Sequence, residues 1–306
     1  MIGYKIGVNS SWEVTTFNFL PGTFYFLNIK HVVDMEQFLA FFENLSPVQK
    51  LGWVFLVITV SWLIEAVIPL IEHGYNKWKH AGVNFVFLGT SLVINSLFTL
   101  ATVGIIVATN ESGFGILNWI DLPLWVELIL AVMILDFVAQ YVAHRMLHRF
   151  AWMWRFHMVH HSDTKVDATT GIRHHPGDYL IREVFSLAAI LVMGMPLAYY
   201  LVYRILSVAF TMFTHANISL PGFLERIIGV VFVTPNMHKF HHHFERPWTD
   251  SNFGNIFSIW DRAFGTLVQD DPRKIRYGLD VLDDDQDHNV GYQLKVPFDR
   301  SIKTDY

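Results

Sequence analysis

Four stretches of this sequence are apolar over the length that a lipid bilayer requires. A membrane-spanning helix needs roughly 20 mostly apolar residues, and residues 51–71, 85–108, 122–141 and 184–213 meet that need. The last stretch is longer than one span requires, and Gly194 and Pro196 lie near its middle, where a proline removes a helical hydrogen bond. The sequence therefore predicts an all-α integral membrane protein with about four membrane-embedded segments. The last of them is predicted to be a hairpin, and a single long kinked helix is the alternative.

The basic residues of the loops predict the orientation of these segments. Short cytoplasmic loops are enriched in lysine and arginine. Lys77 and Lys79 follow the first stretch and four arginines follow the third, whereas the loop after the second stretch holds only Glu111 and Asp121. The region after the third stretch should therefore form a helical cap on the cytosolic side.

Composition narrows the classes of function. Only 16% of the residues are charged, compared with about 25% in average soluble domains, and the net charge of −5 argues against a nucleic-acid partner. The chain has no cysteine, which excludes disulfides and thiolate metal sites, but it has 16 histidines. The first fifty residues lack the pattern of a secretory signal and are interpreted as an interfacial arm.

A pair of histidines ends the third apolar stretch. His144 and His148 are four residues apart and so lie on one helix face. The same spacing extended backwards gives Gln140 and Asp136, so a polar stripe runs from inside the membrane to the pair. Polar groups within a span are costly and usually mark a site. Taken alone, the pair could equally be an interfacial helix end.

One pattern of three histidines occurs twice, at offsets of three and four that suit one helix face. Surface histidines are the simpler interpretation of one copy, but two copies beside a spaced pair indicate metal binding. Eight histidines exceed what one ion binds, so two ions are expected; imidazole suits iron, zinc, copper and nickel. No histidine cluster contains the glutamate of a zinc-protease HExxH motif, and iron with open positions better fits oxygen activation. The repeated pattern comprises His157, His160, His161, His238, His241 and His242.

The remaining histidines are isolated in sequence. One of His174 and His175 could reach the metals, and so could His215, although single histidines are more often packed or capping residues. His243 lies five residues after His238 and leaves the predicted face. Those interpreted as structural or exposed are His31, His73, His80 and His288.

The segment from 136 to 267 resembles the fatty acid hydroxylase and sterol desaturase superfamily of membrane di-iron oxygenases. The resemblance rests on HRMLH, HMVHHSD, an Arg-His-His-Pro element, THANI, TPNMHKFHH and TDSNFGNIFSIWDRAFGT. It implies a helical membrane enzyme with two iron ions beneath a cytosolic cap and dioxygen as co-substrate. Such enzymes hydroxylate or desaturate acyl chains and sterols, and hydroxylation is preferred here.

The resemblance also implies a set of site residues. It selects His175 over His174 and adds His215. It places Asp136, Tyr141, Asn252 and Asp261 at recurrent positions, where they would orient imidazoles or cap local structure. The metal ligands it implies are His144, His148, His157, His160, His161, His175, His215, His238, His241 and His242.

The expected organisation is an interfacial arm at 1–50, a transmembrane region at 51–130, a di-iron domain at 131–268 and a C-terminal tail at 269–306. His175-Pro-Gly-Asp is similar to the haem-binding element of cytochrome b5, but no separate domain surrounds it. Electrons are therefore expected from an external cytochrome b5-like or ferredoxin-like donor with its reductase. The membrane could be a bacterial inner membrane or the endoplasmic reticulum. A divalent-metal transporter is the alternative, although transport sites usually lie near the bilayer midplane rather than past the span ends.

Overall fold

The computed structural model describes residues 34–72 and 74–304. Most of the predicted N-terminal arm, together with His31 and His73, lies outside the described residues. Regular structure within the described part is helical, apart from two isolated β-bridges, Pro69 with Ile218 and Phe232 with Phe257. The all-α fold is thereby confirmed.

Thirteen α-helices follow one another in the described part of the chain. In order, α1 to α6 are Met35–Glu43, Pro47–Val67, Lys77–Ser112, Ile116–Trp119, Leu124–Leu135 and Ala143–Arg149, with a π-helical segment, Asp136–Val142, joining the last two. Helices α7 to α13 are Ala151–His161, Pro176–Met193, Leu197–His215, Gly222–Ile228, Pro235–His241, Ile259–Ala263 and Val290–Lys295.

Four of the described helical stretches are long and apolar enough to cross a membrane. They are α2, α3 with its short continuation α4, the continuous stretch Leu124–Arg149, and α9. Local signals set their ends: Ser46 caps α2 through a capping box that is followed by Pro47, and α3 ends at Gly113, whose φ is 65°. The chain is an integral membrane protein.

The fourth apolar stretch is a hairpin rather than one kinked helix. It is broken between α8 and α9, where Gly194 adopts a φ of 62°. A side chain could not be accommodated there, since a Cβ would lie 2.2 Å from the main-chain oxygen of Phe114. Asn118 Nδ2 also donates to Gly194 O at 3.1 Å. The tip therefore packs on the segment that follows α3, while the outer ends of both helices return to the histidines.

The short helices after α9 and the C-terminal segment cover the histidine-bearing end of the long helices. Arg155 on α7 donates from Nε to Pro297 O at 2.8 Å, and Ser162 Oγ donates to Gln293 Oε1 at 3.0 Å. The residues predicted as a C-terminal tail thus pack on α7 and close one side of the site.

Candidate metal centre

Nine histidines converge where α6, α7, α9 and α11 meet. They form two groups, and within each group one nitrogen from every ring lies within 4.8 Å of the others. All nine side chains are buried. Group one consists of His144, His148, His157, His161 and His241, and group two consists of His160, His215, His238 and His242.

Each three-histidine pattern contributes to both groups. On α7 the outer two histidines belong to group one and the middle one, His160, to group two. In the second pattern, on α11 and the residue after it, the outer histidines, His238 and His242, belong to group two and the middle one, His241, to group one. Residues four apart are nearly in line on a helix, whereas a residue three along is displaced to the other side by about 60°. The two groups therefore lie side by side, and the rings of His161 and His242 stack across their boundary at 4.7 Å.

In group one, two imidazoles face each other with unprotonated nitrogens. His144 Nδ1 lies 2.9 Å from Phe253 O, and His157 Nδ1 lies 2.8 Å from Asp178 Oδ2. Because these oxygens only accept, the Nδ1 atoms carry the hydrogen in neutral rings, and both Nε2 atoms present lone pairs. Those Nε2 atoms are 2.9 Å apart. Two lone pairs at this distance repel each other unless a cation binds both.

Group two repeats this arrangement. His160 Nδ1 lies 3.2 Å from Arg173 O, and His215 Nδ1 lies 2.7 Å from Thr211 O. Their Nε2 atoms, again left with lone pairs, are 3.1 Å apart, and His238 Nε2 lies 3.0 Å from that of His215.

These separations fit metal coordination. Imidazole nitrogens bind an ion such as zinc at about 2.0–2.1 Å, so two of them at right angles on one ion are about 3 Å apart. Both ring nitrogens of His242 are buried and have no hydrogen-bond partner among the described residues. Unpartnered buried polar atoms are costly. An all-nitrogen donor set suits a divalent transition metal, and the two groups fit one ion each.

Burial keeps these imidazoles neutral. It lowers the pKa of His157, His161 and His241 well below the usual range, and the neighbouring imidazoles lower it further. A metal ion competes with protons for the same lone pairs, so a low pKa favours metal binding at neutral pH.

Main-chain oxygens of the segment 250–254 orient histidines of group one. Ser251 O lies 2.8 Å from His241 Nδ1, and Phe253 O accepts from His144, as described above. Asp261 holds this segment by accepting the N–H groups of residues 253 and 254 at 2.8 and 2.9 Å. Asp261 therefore helps to position these imidazoles indirectly, because it holds the segment whose carbonyl oxygens contact them.

Asn252 and Tyr141 brace the same segment. Asn252 has a φ of 51°, and its Nδ2 donates to the main-chain oxygens of residues 237 and 268, both at 2.8 Å. The Tyr141 hydroxyl lies 3.0 Å from Thr266 Oγ1, which donates to Asp261. These sequence-predicted residues contact the partners of the histidines rather than the histidine nitrogens.

A π-helical segment keeps the predicted polar stripe straight. Each step of four residues on an α-helix drifts by about 40°, so Asp136 and His148 would differ by about 120°. The wider π-turn rotates less per residue and opposes that drift. Asp136 is fully buried and accepts from the N–H groups of residues 256 and 257 and from Trp260 Nε1, at 3.0 to 3.1 Å. It thereby ties the stripe to the cap.

Residues 128–266 match the fatty acid hydroxylase family. The matched residues contain every histidine of both groups and the four braces just described. The match covers somewhat less than half of the chain, and it is this segment that is similar to the fatty acid hydroxylase family. The resemblance that the motifs indicated is thereby confirmed.

The proteins that this chain is similar to include several that are named as lipid-modifying enzymes. It is 28% identical over 231 residues to ornithine lipid hydroxylase OlsE of Rhizobium tropici, covering 75% of this chain and 63% of that protein. It is 30% identical over 140 residues to the alkylglycerol monooxygenase of Homo sapiens, covering 45% and 30%. A cholesterol 25-hydroxylase-like protein of Danio rerio is 28% identical over 142 residues, covering 45% and 55%. The chain thus spans less than two thirds of these relatives' lengths. No solved structure matches.

Sequence reasoning missed a buried ion pair beside the two histidine groups. Asp178, whose Oδ2 contacts His157, accepts at Oδ1 from Arg182 Nε at 2.9 Å. Arg182 Nη1 in turn donates to Gln140 Oε1 at 3.0 Å. An oppositely charged pair four residues apart, next to an apolar stretch and a histidine pair, was the available signal.

This ion pair belongs to a hydrogen-bonded arc that joins the two groups on their membrane side. Gln140 Nε2 donates to Tyr203 Oη at 3.2 Å and to Ser207 Oγ at 3.3 Å. Asn255 Nδ2 donates to Ser207 Oγ at 3.0 Å, and Asn255 Oδ1 accepts from Thr211 Oγ1 at 3.0 Å. The arc therefore begins at His157 of group one and ends at Thr211, whose carbonyl orients a histidine of group two.

His175 lies outside both groups. It is the N-cap of α8, where its Nδ1 accepts from Gly177 N at 3.0 Å, and its ring packs on Phe156. The ring of His174 instead stacks on His160 at 4.7 Å and 12°, but it is not a member of either group.

The other histidines lie away from the two groups. His80 Nε2 is 2.9 Å from Asp163, His243 Nδ1 accepts from the N–H of residue 276, and His288 is exposed. Asp250, which sequence reasoning also missed, lies 3.2 Å from His148 Nδ1 and is partly exposed.

Proposed function

We propose that this protein is an oxygen-dependent di-iron oxidoreductase that hydroxylates a membrane lipid. The observation that carries the proposal is the facing of unprotonated Nε2 atoms in two adjoining groups, 2.9 Å apart in one and 3.1 Å in the other. The family match and the hydroxylase and monooxygenase relatives support the same chemistry.

Nine histidines are proposed as ligands, five to one ion and four to the other. His175 is left out because its Nδ1 already accepts a main-chain hydrogen at the start of α8. Two bound irons would supply the reductive activation of dioxygen that oxidises an unactivated carbon. Unequal histidine numbers leave more open coordination at group two, where a small co-substrate could bind.

The surrounding residues would position the centre and exclude water. Asp178, Ser251 O and Phe253 O hold imidazole tautomers with Nε2 free, so that each lone pair is directed inwards. Asp136, Tyr141, Asn252 and Asp261 are proposed to support these partners indirectly. The overall reaction would convert a C–H bond, dioxygen, two electrons and two protons into a C–OH group and water.

A lipid substrate is proposed because the centre lies at the end of apolar helices. The relatives are named for ornithine lipid, alkylglycerol and cholesterol, and hydroxylation or monooxygenation recurs in those names. That recurrence favours hydroxylation over desaturation. The arc lies between the membrane-embedded helices and the histidines, so a lipid would reach the centre past it.

The electrons would come from an external cytochrome b5-like or ferredoxin-like donor with its reductase. The basic loops favour a cytoplasmic position for the histidine-bearing end, in a bacterial inner membrane or the endoplasmic reticulum.

Isotope-labelled dioxygen tests the proposal. Membranes with and without the protein are incubated with a reductant system under ¹⁸O₂, and their lipids are analysed by mass spectrometry. A hydroxylase places one labelled oxygen atom in a lipid that is absent from the control membranes. An unlabelled alkene would indicate desaturation, whereas turnover without dioxygen or product oxygen derived from water would refute the proposal. Vesicle uptake of divalent metal without any lipid oxidation would support a transporter instead.

A further inference from the structure

Arg182 is held in place by two hydrogen bonds, but not all of its N–H donors have an acceptor. Its Nε donates to Asp178 at 2.9 Å and its Nη1 to Gln140 at 3.0 Å, and only 11% of its side chain is exposed. Its third nitrogen, Nη2, donates no hydrogen bond to any described residue. A guanidinium carries five N–H donors in a fixed plane, so donors remain whose direction the two contacts determine.

Arg204 provides a comparison within the same helical hairpin. Its Nη1 donates to Glu183 at 2.6 Å, and its Nη2 donates to Tyr179 Oη at 2.6 Å and to Asn95 Oδ1 at 3.3 Å. Both terminal nitrogens of Arg204 thus have partners among α3 and α8, which is expected of an arginine that stabilises helix packing. Arg182 differs because one terminal nitrogen is spare.

The spare donor lies next to the metal centre. One carboxylate, that of Asp178, separates Arg182 from His157 of group one. Gln140, the other partner, precedes His144 by four residues in the polar stripe. The guanidinium is therefore linked through Asp178 to group one, and through Gln140 to the part of the arc that leads to group two.

We infer that Arg182 Nη2 hydrogen-bonds an oxygen atom of the lipid close to the carbon that is oxidised. This inference rests on the proposed function. The acceptor could be a carbonyl, ether or phosphate oxygen, which share the ability to accept from a cationic donor. Such bonds are stronger than neutral ones and are strengthened further away from water. Anchoring the lipid a few bonds from the centre would determine which carbon meets the metals.

The inference limits the substrate class. A carbon deep in an unsubstituted acyl chain has no oxygen close enough to reach Arg182 while the carbon lies at the centre. The favoured substrate is oxidised near its polar group, such as an acylated amino acid, a glycerol ether or a fatty acyl amide.

Binding of defined lipids tests the inference without turnover. Zinc-loaded protein in nanodiscs is titrated with an ornithine lipid, 1-O-hexadecylglycerol and heptadecane, the last of which carries no oxygen. The Arg182→Lys variant keeps the charge but loses the planar fork. At least one oxygen-bearing lipid should bind the variant about 10- to 100-fold more weakly than it binds the wild type, as expected for a hydrogen bond to a charged group. Heptadecane affinity should not change.

The matched control is Arg204→Lys, which should bind all three lipids as the wild type does. The measured quantity is the ratio of the affinities of one variant for different lipids, and partial misfolding would lower all of these affinities together. Arg182→Gln serves as a second variant. Equal losses for all three lipids, or a wild type that does not prefer either oxygen-bearing lipid, would overturn the inference.

Product position provides an independent readout. Under ¹⁸O₂, the wild type should give one main positional isomer of the hydroxylated lipid and Arg182→Lys a mixture. If both proteins label the same single carbon, Arg182 does not anchor the substrate and the proposed hydroxylase function still holds. If neither labels any lipid, the proposed function itself fails.

Discussion

Nε2 of His144 lies 2.9 Å from Nε2 of His157, and neither nitrogen carries a hydrogen, because each ring donates from Nδ1 to another oxygen. Such a contact is unfavourable in a protein that binds no cation there. The same contact between Nε2 atoms occurs at 3.1 Å between His160 and His215. Both contacts are buried, so we expect a cation to bind at each of them.

The first prediction concerns metal content. Anaerobically purified protein supplied with ferrous iron should bind about two ions per chain, because each group supplies at least four imidazoles. His144→Ala should bind fewer ions and lose activity. His288→Ala, which alters an exposed histidine, should match the wild type in elemental analysis. An active wild type with one ion or none would contradict the two-site arrangement.

The second prediction concerns Asp178, which orients His157 from behind. Asp178→Asn should weaken metal binding about 10- to 100-fold at one of the two sites, since outer partners of ligating histidines have effects of that size. Competition with a chromophoric chelator measures both affinities. The control is Asp270→Asn, which removes an exposed carboxylate paired with Lys274. Equal weakening at both sites would mean that Asp178 acts on the whole centre rather than on group one.

The third prediction tests whether His175 caps helix α8 or binds a metal ion. His175→Asn should keep two ions, because asparagine can also accept the N–H of Gly177. His175→Ala should keep the ions but lose about 1 kcal/mol of unfolding free energy, as typical N-cap removals do. Thermal unfolding and elemental analysis decide the matter. Loss of an ion from His175→Asn would restore the ligand role that the family resemblance implies.

The fourth prediction concerns pH. Burial lowers the pKa of His174 to about 4, and it lowers that of His157 and His160 well below 6.5. The unfolded chain therefore binds protons below about pH 6.5 that the folded chain does not, so acidification destabilises the fold. The melting temperature of the metal-free protein should fall as the pH is lowered from about 6.5 towards 4. A metal-free protein that gains stability on acidification to pH 5 would contradict this sign.

The fifth prediction concerns topology. The chain has no cysteine, so single cysteines can be introduced without a background. Ser112→Cys, at the end of α3, should react with a membrane-impermeant maleimide only from the non-cytoplasmic side. Arg300→Cys, near the histidine-bearing end, should react only after the membrane has been permeabilised so that the reagent reaches the cytoplasmic side. Labelling in the opposite order would invert the arrangement.

Much of the fold followed from local patterns. The apolar stretches set the helices, and Gly194 with Pro196 identified the reversal between α8 and α9. The histidine spacings identified the residues that meet, because residues four apart share a helix face whatever the fold. Asp136, Asn252 and Asp261 were found through motifs, but only the structure shows that they hold main chain and not histidine nitrogens.

What the sequence by itself determined was therefore the membrane-embedded helical architecture, the resemblance to the fatty acid hydroxylase and sterol desaturase superfamily, and the histidines from which two sites could be built. The tertiary structure decided how each pattern divides between two groups, because that depends on which helices cross at the site. It also decided that His175 caps a helix, that Asp178 orients His157, and that Arg182 keeps a spare donor. The contacts of Asp178 with His157 and of Arg182 with Gln140 join different helices, and no local periodicity records the distance between such side chains.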